Sequence, residues 1–424
     1  MSRRLFGVLG IVLMLFFVTG CATPPEEQQG QQAQAQKEPP PKFKEMQKHE
    51  LVVKTSQSGE KRIALKETPV MAEEPAVERS PNVRAVSRVT SLEGQEIRDL
   101  AISPDGRFLT FAMLNPQKVW NIYSVSSRGT GGVIRNTDSN YHTINPSFGT
   151  DTAGNVYIYY ASNRMDEPRF HIWRVNSGRP FGVTRITWGR SSESYPYASP
   201  VPGGPVLYAS KLEGAGESQV WMINQDGTLP TQLRDGEQPS FSPDGEWIVF
   251  TRKDQVTKIS NIWIMKKDGS NLSQITFHSK DWEAKAIKKE RKQSYVAKGK
   301  NAKGKEKVVV TTLVSASHSK IVGDVHPHWS PDGTRIVFAS DRGRDYYGRH
   351  NMDIWMINCD GSNLTQLTTN GSDDDYPVWD PSGNYVYFIS NRGFEWNVWR
   401  LDVGNAGGME QPSATAKGSS ATGQ

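Results

Sequence analysis

His326-Pro327-His328-Trp329-Ser330-Pro331-Asp332-Gly333-Thr334-Arg335-Ile336-Val337-Phe338 reads as a strand, a turn and a second strand. The central Ser-Pro-Asp-Gly is built to reverse the chain: proline presets φ, and Asp and Gly accept the conformations that a tight turn requires. The same four residues recur at Ser103 to Gly106 and Ser242 to Gly245. Looser forms stand at Asp380-Pro381-Ser382-Gly383, Asp151-Thr152-Ala153-Gly154 and Pro202-Gly203-Gly204. The stretch is therefore one copy of a repeat, and its two histidines have to be judged against their sister positions.

Each turn is followed by an apolar strand: Phe108 to Phe111, Val156 to Tyr159, Val206 to Tyr208, Trp247 to Phe250, Ile336 to Phe338 and Val386 to Phe388. A third strand then carries an aliphatic residue before an aromatic one, at Ile122-Tyr123, Ile172-Trp173, Val220-Trp221, Ile262-Trp263, Ile354-Trp355 and Val398-Trp399. These aromatics are 50, 48, 42, 92 and 44 residues apart, the size of a four-stranded propeller blade with one insertion. Fourth strands are expected at Arg185-Ile186-Thr187, Gln232-Leu233, Gln274-Ile275-Thr276 and Gln366-Leu367-Thr368. The last unit lacks one, and Arg88-Val89-Thr90, ahead of the first unit, has the same pattern. The spacing predicts an all-β, six-bladed propeller over 84–403, closed by this N-terminal strand, so that no sheet edge is left open at the joint.

Ser2-Arg3-Arg4, the apolar run Leu5 to Val18 and Val18-Thr19-Gly20-Cys21 resemble a bacterial lipoprotein signal over 1–20, with Cys21 as the lipidated N-terminus. A twin-arginine route is the less favoured reading of the same start. Ala22, where an inner-membrane retention signal would have Asp, points to the outer membrane facing the periplasm. Cys359 is the other cysteine, so lipid on Cys21 excludes an intramolecular disulfide, and packing must supply the stability. Residues 21–83, with Pro24-Pro25, six Gln from Gln28 to Gln36 and Pro39-Pro40-Pro41, read as a low-complexity disordered tether. Leu51-Val52-Val53 and Ile63-Ala64-Leu65 read as a small hairpin within it. The Gly, Ala, Ser and Thr of 404–424 read as a disordered tail.

The formal charge of +5 is local in origin: Lys280 to Lys307 holds eleven Lys and Arg against four Asp and Glu. This stretch lies in an insertion, 277–322, where Gln293 to Ala297 and Lys307 to Val314 suggest a hairpin. Lys288, Lys289, Arg291, Lys292, Lys300, Lys303 and Lys305 would form a basic arm for anionic lipid or lipopolysaccharide. A secreted chain gives these lysines no nucleic acid to bind.

The repeated aromatic-Ser-Pro-Asp-Gly, the Ile-Trp strand and the Gln-Leu-Thr ending resemble the TolB-like β-propeller repeat family over Arg84 to Val403. TolB's mixed α/β domain has no counterpart here, so the resemblance implies the propeller alone. It implies a binding or scaffold module of the cell envelope, with another envelope protein or a peptidoglycan-associated lipoprotein as partner. Oligogalacturonate lyases are similar at the repeat level. Their likeness implies an alternative, a metal-dependent uronate lyase in which His326 and His328, with His142 or His350, hold a transition metal.

Aligned with Tyr376-Pro377, Tyr195-Pro196, Gln238-Pro239 and Asn145-Pro146, the pair His326-Pro327 falls on the innermost strand. His326, His328, Asp324, Asp375, Tyr376 and Tyr195 are the candidate channel or partner-binding residues. The carboxylates of Asp324 and Asp373-Asp374-Asp375 raise calcium as a cofactor, although their spacing is not that of an EF-hand loop. Ser340-Asp341-Arg342, Ser390-Asn391-Arg392 and Ser162-Asn163-Arg164 place an arginine in register, read as structural. No Gly-x-Ser-x-Gly, His-Glu-x-x-His or Gly-rich phosphate loop occurs, and the chain reads as a binder more than as an enzyme.

Overall fold

The computed structural model describes residues 51–55, 61–65, 80, 82–138, 140–165, 167–178, 182–214, 216–277, 293–300, 306–313, 322–342 and 351–404; at 51–65 and 293–313 only the backbone is described. Two compact units divide the chain, one of them spanning Pro24–Ala76. In that unit Leu51–Thr55 pairs antiparallel with Lys61–Leu65, the expected hairpin.

Among the described residues, the other unit holds six four-stranded antiparallel sheets and one further hairpin. Blade 1 runs outward from Ile97–Ile102 through Phe108–Leu114 and Trp120–Ser126 to Ile134–Arg135. Its five sisters start at the inner strands Thr143–Thr150, Ser191–Ala198, Glu237–Phe241, Asp324–Trp329 and Asp374–Trp379. Blade 6 is completed by Ala85–Arg88, which pairs with Asn397–Asp402 in the register Trp399 to Arg88. The N-terminal strand thus closes the ring as its Val-Thr pattern predicts. The insertion hairpin pairs Gln293–Lys300 with Glu306–Leu313, longer than expected. The expected tail beyond 404, the signal and Cys21 lie outside the described residues, as do Lys288, Lys289, Arg291, Lys292, Lys303 and Lys305.

Six apolar clusters hold the ring, one at each blade junction. Leu109, Phe111 and Val125 of blade 1 pack with Val378, Tyr387 and Ile389 of blade 6, while Ala112 and Ile122 pack with Ile158, Tyr160 and Val175 of blade 2. Alternate residues of one strand point to opposite faces. Because each blade is covered on both faces, its middle strands are apolar throughout rather than alternating.

The turns behave as their chemistry predicts. In Ser-Pro-Asp-Gly the serine hydroxyl donates to the aspartate carboxylate, at 2.6 Å for Ser103 and Asp105, and the glycine N–H donates to the serine carbonyl, at 2.8 Å for Gly106. Gly106 has φ +70°, and a Cβ there would sit 3.3 Å from Asp380 and Pro381 of blade 6, so the turn needs glycine on two counts.

Four outer strands have only two residues each, Thr184–Arg185 in place of 185–187, whereas blade 3's Thr231–Asp235 is longer than its expected Gln232-Leu233. The reason is a repeated threonine. Both the Ile186 and Thr187 N–H groups turn onto the Ile172 carbonyl, and Thr187 Oγ1 accepts the Ile172 N–H at 2.8 Å. Thr137, Thr276 and Thr368 do the same for Ile122, Ile262 and Ile354, and Thr90 does so for Val398. In five of the six blades the threonine that ends the unit is the clip that turns the chain toward the next blade; blade 3 has Arg234 there, and its outer strand runs on to Asp235.

Cys359 packs beside the blade 4 to blade 5 cluster and is in a disulfide, which departs from the expectation that none forms; its partner lies outside the described residues.

Candidate functional site: the central channel

All six inner strands carry the same irregularity. Their pairing register shifts between Arg98 and Ala101, Ile144 and Ser147, Ser194 and Tyr197, Glu237 and Ser240, Val325 and His328, and Asp375 and Val378. Within each bulge one residue has left-handed backbone: Asp99, Asn145, Tyr195, Gln238, His326 and Tyr376, with φ between 51° and 59°. Positive φ is uncommon for any residue with a Cβ, and bulges re-aim side chains. Here the bulge turns six side chains into one ring around a channel of about 390 Å³.

The ring is knit by side chains that catch the N–H of the next blade's bulge. Asp99 Oδ2 accepts from Asn145 N at 3.1 Å, Asn145 Oδ1 from Tyr195 N at 3.4 Å, and Gln238 Oε1 from His326 N at 2.9 Å. Asp375 accepts the Tyr376 N–H at 2.7 Å and lies 2.6 Å from His326 Nδ1. The His326 and Tyr376 rings stack with centroids 4.1 Å apart, and Tyr195 lies 6.2 Å from His326. Arg98 Nε donates to Asp99 Oδ2 at 2.9 Å. Burial pushes the Tyr195 hydroxyl up to about 12 and that of Tyr376 well above its usual range, the nearby Asp99 carboxylate adding to both. These phenols enter the channel as neutral hydrogen-bonding groups.

One layer deeper, His328 is fully engaged. Its Nε2 lies 3.1 Å from the Tyr197 hydroxyl, while Nδ1 is 3.0 Å from the Trp329 carbonyl and 3.3 Å from Trp379 N. His142 Nδ1 accepts from Trp120 N at 3.4 Å, away from the channel lining. Among the described residues no three of His, Cys, Asp and Glu gather as metal ligands, and His350 lies outside them.

Burial lowers the His328 pKa to about 4, so the ring is neutral at pH 7. The unfolded chain, with the ordinary value of about 6.5, takes up the proton first. Stability is therefore full above pH 6.5, falls as pH drops from 6.5 to 4, and loses at most ~3 kcal/mol, an upper bound because one ring edge faces the channel. Relative to a His328→Val variant, the wild type is expected to lose that amount in urea titrations between pH 7.5 and 4. Parallel pH curves for the two proteins would contradict this.

Of the candidates read from sequence, His326, His328, Tyr195 and Tyr376 line the channel, and Asp375 supports it through His326. Asp324 does not belong. It is fully buried, and its carboxylate is bound by the Arg342 guanidinium. Asp374 holds Arg392 in the same way at 2.6 Å. The repeated arginines are structural as expected, although their partners open the inner strands instead of sitting in turns. Arg164, whose inner strand opens with Thr143, packs over Trp173. Asp99, Asn145, Ser147 and Gln238 are ring or lining residues that sequence reasoning did not single out. The X-Pro pairs at Asn145-Pro146 and Gln238-Pro239 carried that signal, whereas Asp99-Leu100 lacked it.

Residues 217–417 match the family described as the Tricorn protease N-terminal beta propeller domain. An uncharacterised protein of Agrobacterium fabrum is 23% identical over 272 residues, covering 62% of this chain and 73% of its own. TolB from Acinetobacter baumannii shares 13% identity at a TM-score of 0.48, covering 71% of this chain and 64% of that one. An oligogalacturonate lyase from Vibrio parahaemolyticus shares 14% at 0.47, covering 78% and 96%. The repeat and the closed ring of six four-stranded blades make the chain a six-bladed β-propeller, similar over 217–417 to the Tricorn N-terminal propeller family.

Proposed function

We propose that the protein is a lipid-anchored envelope scaffold, facing the periplasm, that docks another envelope protein on the propeller face where the inner strands begin. The observation that carries this reading is an arc of exposed apolar side chains. Met165, Trp188, Leu212, Val256 and Phe277 are 75%, 74%, 55%, 83% and 68% exposed. Met165, Trp188, Val256 and Phe277 lie in connections that open on that one face of blades 2 to 4, on the side of the channel ring, and Leu212 ends the strand Val206–Leu212 on the same face. Exposed apolar groups that share a face mark association surfaces, and tryptophan is a favoured anchor within them; Leu229, also 74% exposed, opens on the opposite face. Trp188 is braced by the Arg185 guanidinium, 4.2 Å from its ring.

The anchor rests on the signal-like N-terminus. With two cysteines in the chain, lipid on Cys21 and an intrachain disulfide at Cys359 exclude each other, and the proposed state is the lipidated one. One experiment tests both halves: crosslinking in cells, membrane extraction and capture of the wild type, Trp188→Ala/Phe277→Ala and Cys21→Ser. The wild type is expected in the membrane fraction with a specific protein partner. The double variant should weaken capture by ~30-fold, as loss of a hot spot worth about 2 kcal/mol implies. The Cys21→Ser variant should move to the soluble fraction. Equal capture by the double variant removes the docking face, and unchanged membrane partition of Cys21→Ser removes the anchor.

A further inference from the structure

Of the two channel histidines, one is spent and one is open. His328 uses both ring nitrogens inside the fold, whereas His326 uses only Nδ1, which donates to Asp375 Oδ1 at 2.6 Å. Its Nε2 has no hydrogen-bond partner and keeps access to solvent, and the side chain lines the channel at 14% exposure. A carboxylate can only accept, so Asp375 fixes the proton on Nδ1 and leaves the lone pair of the neutral imidazole on Nε2. The Tyr376 hydroxyl is open in the same way. Tyr376 stacks on His326 with centroids 4.1 Å apart, and Tyr195 stands beyond Gln238, 6.2 Å from the same ring. No lysine or arginine lines this cavity. Arg98 neutralises Asp99 but lies over the Trp120 ring, 5.8 Å from its centroid. Asp375 and Glu237 have no Lys or Arg partner among the described residues: Asp375 holds His326 and the Tyr376 N–H, and Glu237 accepts the Ser218 hydroxyl at 2.7 Å. The upper channel thus sets net negative charge and aromatic rings around an open acceptor.

We propose that this channel binds a primary ammonium group. An ammonium has three N–H donors and no acceptor, so it can donate to His326 Nε2 and to the Tyr376 hydroxyl oxygen together. Aromatic faces attract cations, more strongly where water is excluded, and the carboxylates of Asp375 and Glu237 favour positive charge without having to touch it. Pro146, Pro196, Pro239, Pro327 and Pro377 give apolar wall for the methylene stem that carries the group. A cavity of about 390 Å³ falls in the range of ~300–1,000 Å³ typical of small-molecule sites. A ligand carboxylate is disfavoured, because at His326 it would meet a lone pair with Asp375 behind it. His326 and Tyr376 are each the third residue of their inner strand, so the group enters from the face where those strands begin. Its source is a free polyamine or the lysine side chain of a protein. This inference does not depend on the docking face.

The test is saturation-transfer NMR titration of the full chain with two ammonium probes, spermidine and Nα-acetyl-lysine N-methylamide. The controls are Nα,Nε-diacetyl-lysine N-methylamide, which lacks the charge, and Nα-acetyl-glutamate N-methylamide, which reverses it. Both ammonium probes are expected to bind, with the controls weaker by about tenfold or more. Tighter binding of spermidine identifies a free polyamine as the source, and tighter binding of the lysine amide a protein side chain. Asp375→Asn keeps an acceptor for His326 and for the Tyr376 N–H while removing one charge, and should weaken the ammonium probes by about tenfold. Tyr376→Leu removes the ring and its hydroxyl and should cost about tenfold as well. The comparison of lysine with acetylated lysine on the wild type stands even where a variant fails to fold. The proposal is overturned by absent transfer to both ammonium probes, by equal or tighter binding of either control, or by unchanged binding in both folded variants.

Discussion

Replacing Asp374 by alanine is expected to lower the stability of the propeller by ~3–5 kcal/mol, the cost of leaving one member of a buried ion pair without its partner. Asp374 is fully buried, and it receives Arg392 through Nη2 at 2.6 Å and Nε at 3.4 Å. The guanidinium is itself only 9% exposed and lies over the rings of Phe388 and Trp399, 5.2 and 5.5 Å from their centroids. Without the carboxylate the guanidinium loses its buried counter-charge, while Ser390 Oγ still accepts from its Nε at 3.2 Å. The double variant Asp374→Ala/Arg392→Ala should therefore be less destabilised than the sum of the two single changes, by ~1–3 kcal/mol of coupling. Urea unfolding of the four proteins measures this directly. Additive losses would mean that the arginine acts through its aromatic contacts and not through the carboxylate.

The second large effect is expected at the seam. Ala85–Arg88 forms the outer edge of blade 6, Arg84 N donates to the Asp402 carbonyl at 2.8 Å, and Val83 sits in the blade 5 to blade 6 cluster. Thr90 Oγ1 accepts the Val398 N–H at 2.9 Å and donates to Asn397 Oδ1 at 3.0 Å. Deleting residues 80–90 removes these together and should cost roughly 5–10 kcal/mol, from buried Val83 at ~1.5–3, the half-buried Val86 and Val89 at less, and hydrogen bonds at ~1 each. That is comparable to the whole stability of an ordinary domain. It also strips the Asn397–Asp402 strand of its neighbour, and an unpaired edge templates association. Light scattering after size-exclusion chromatography should show aggregate. A monomer with unchanged melting temperature would mean that closure through blade 6 contributes little.

Much of this architecture was legible in advance because it rests on local chemistry. Ser330-Pro331-Asp332-Gly333 makes its turn from its own atoms, and Ile354-Trp355 is apolar because blades cover both its faces. The closing strand could be picked out because Val89-Thr90 repeats the aliphatic-Thr ending of Ile186-Thr187, Ile275-Thr276 and Leu367-Thr368, whose threonine clips the neighbouring strand through one hydroxyl. The channel was legible only in part. His326, Tyr195 and Tyr376 announce themselves by a proline at the next position, which marks the bulge. Asp99, followed by leucine, sits in the same left-handed backbone without that mark.

Asp324 and Asp375 show where sequence stops. Each stands next to the X-Pro bulge of an inner strand, Asp324 before His326-Pro327 and Asp375 before Tyr376-Pro377, and by composition either is a channel carboxylate. Asp375 reaches His326 across 49 residues of chain, and Asp324 turns away to Arg342. An inner strand alternates between the channel and the blade junctions, and the bulge resets that alternation part-way along. Which side a given carboxylate takes, and which partner from another blade waits there, follows from the closed ring of six strands. The sequence by itself therefore determined the repeat, the turns and the closing strand, all of which depend on neighbours in the chain. Tertiary structure alone decided the ring of six left-handed residues around one channel, because the ring exists only once six separate strands converge.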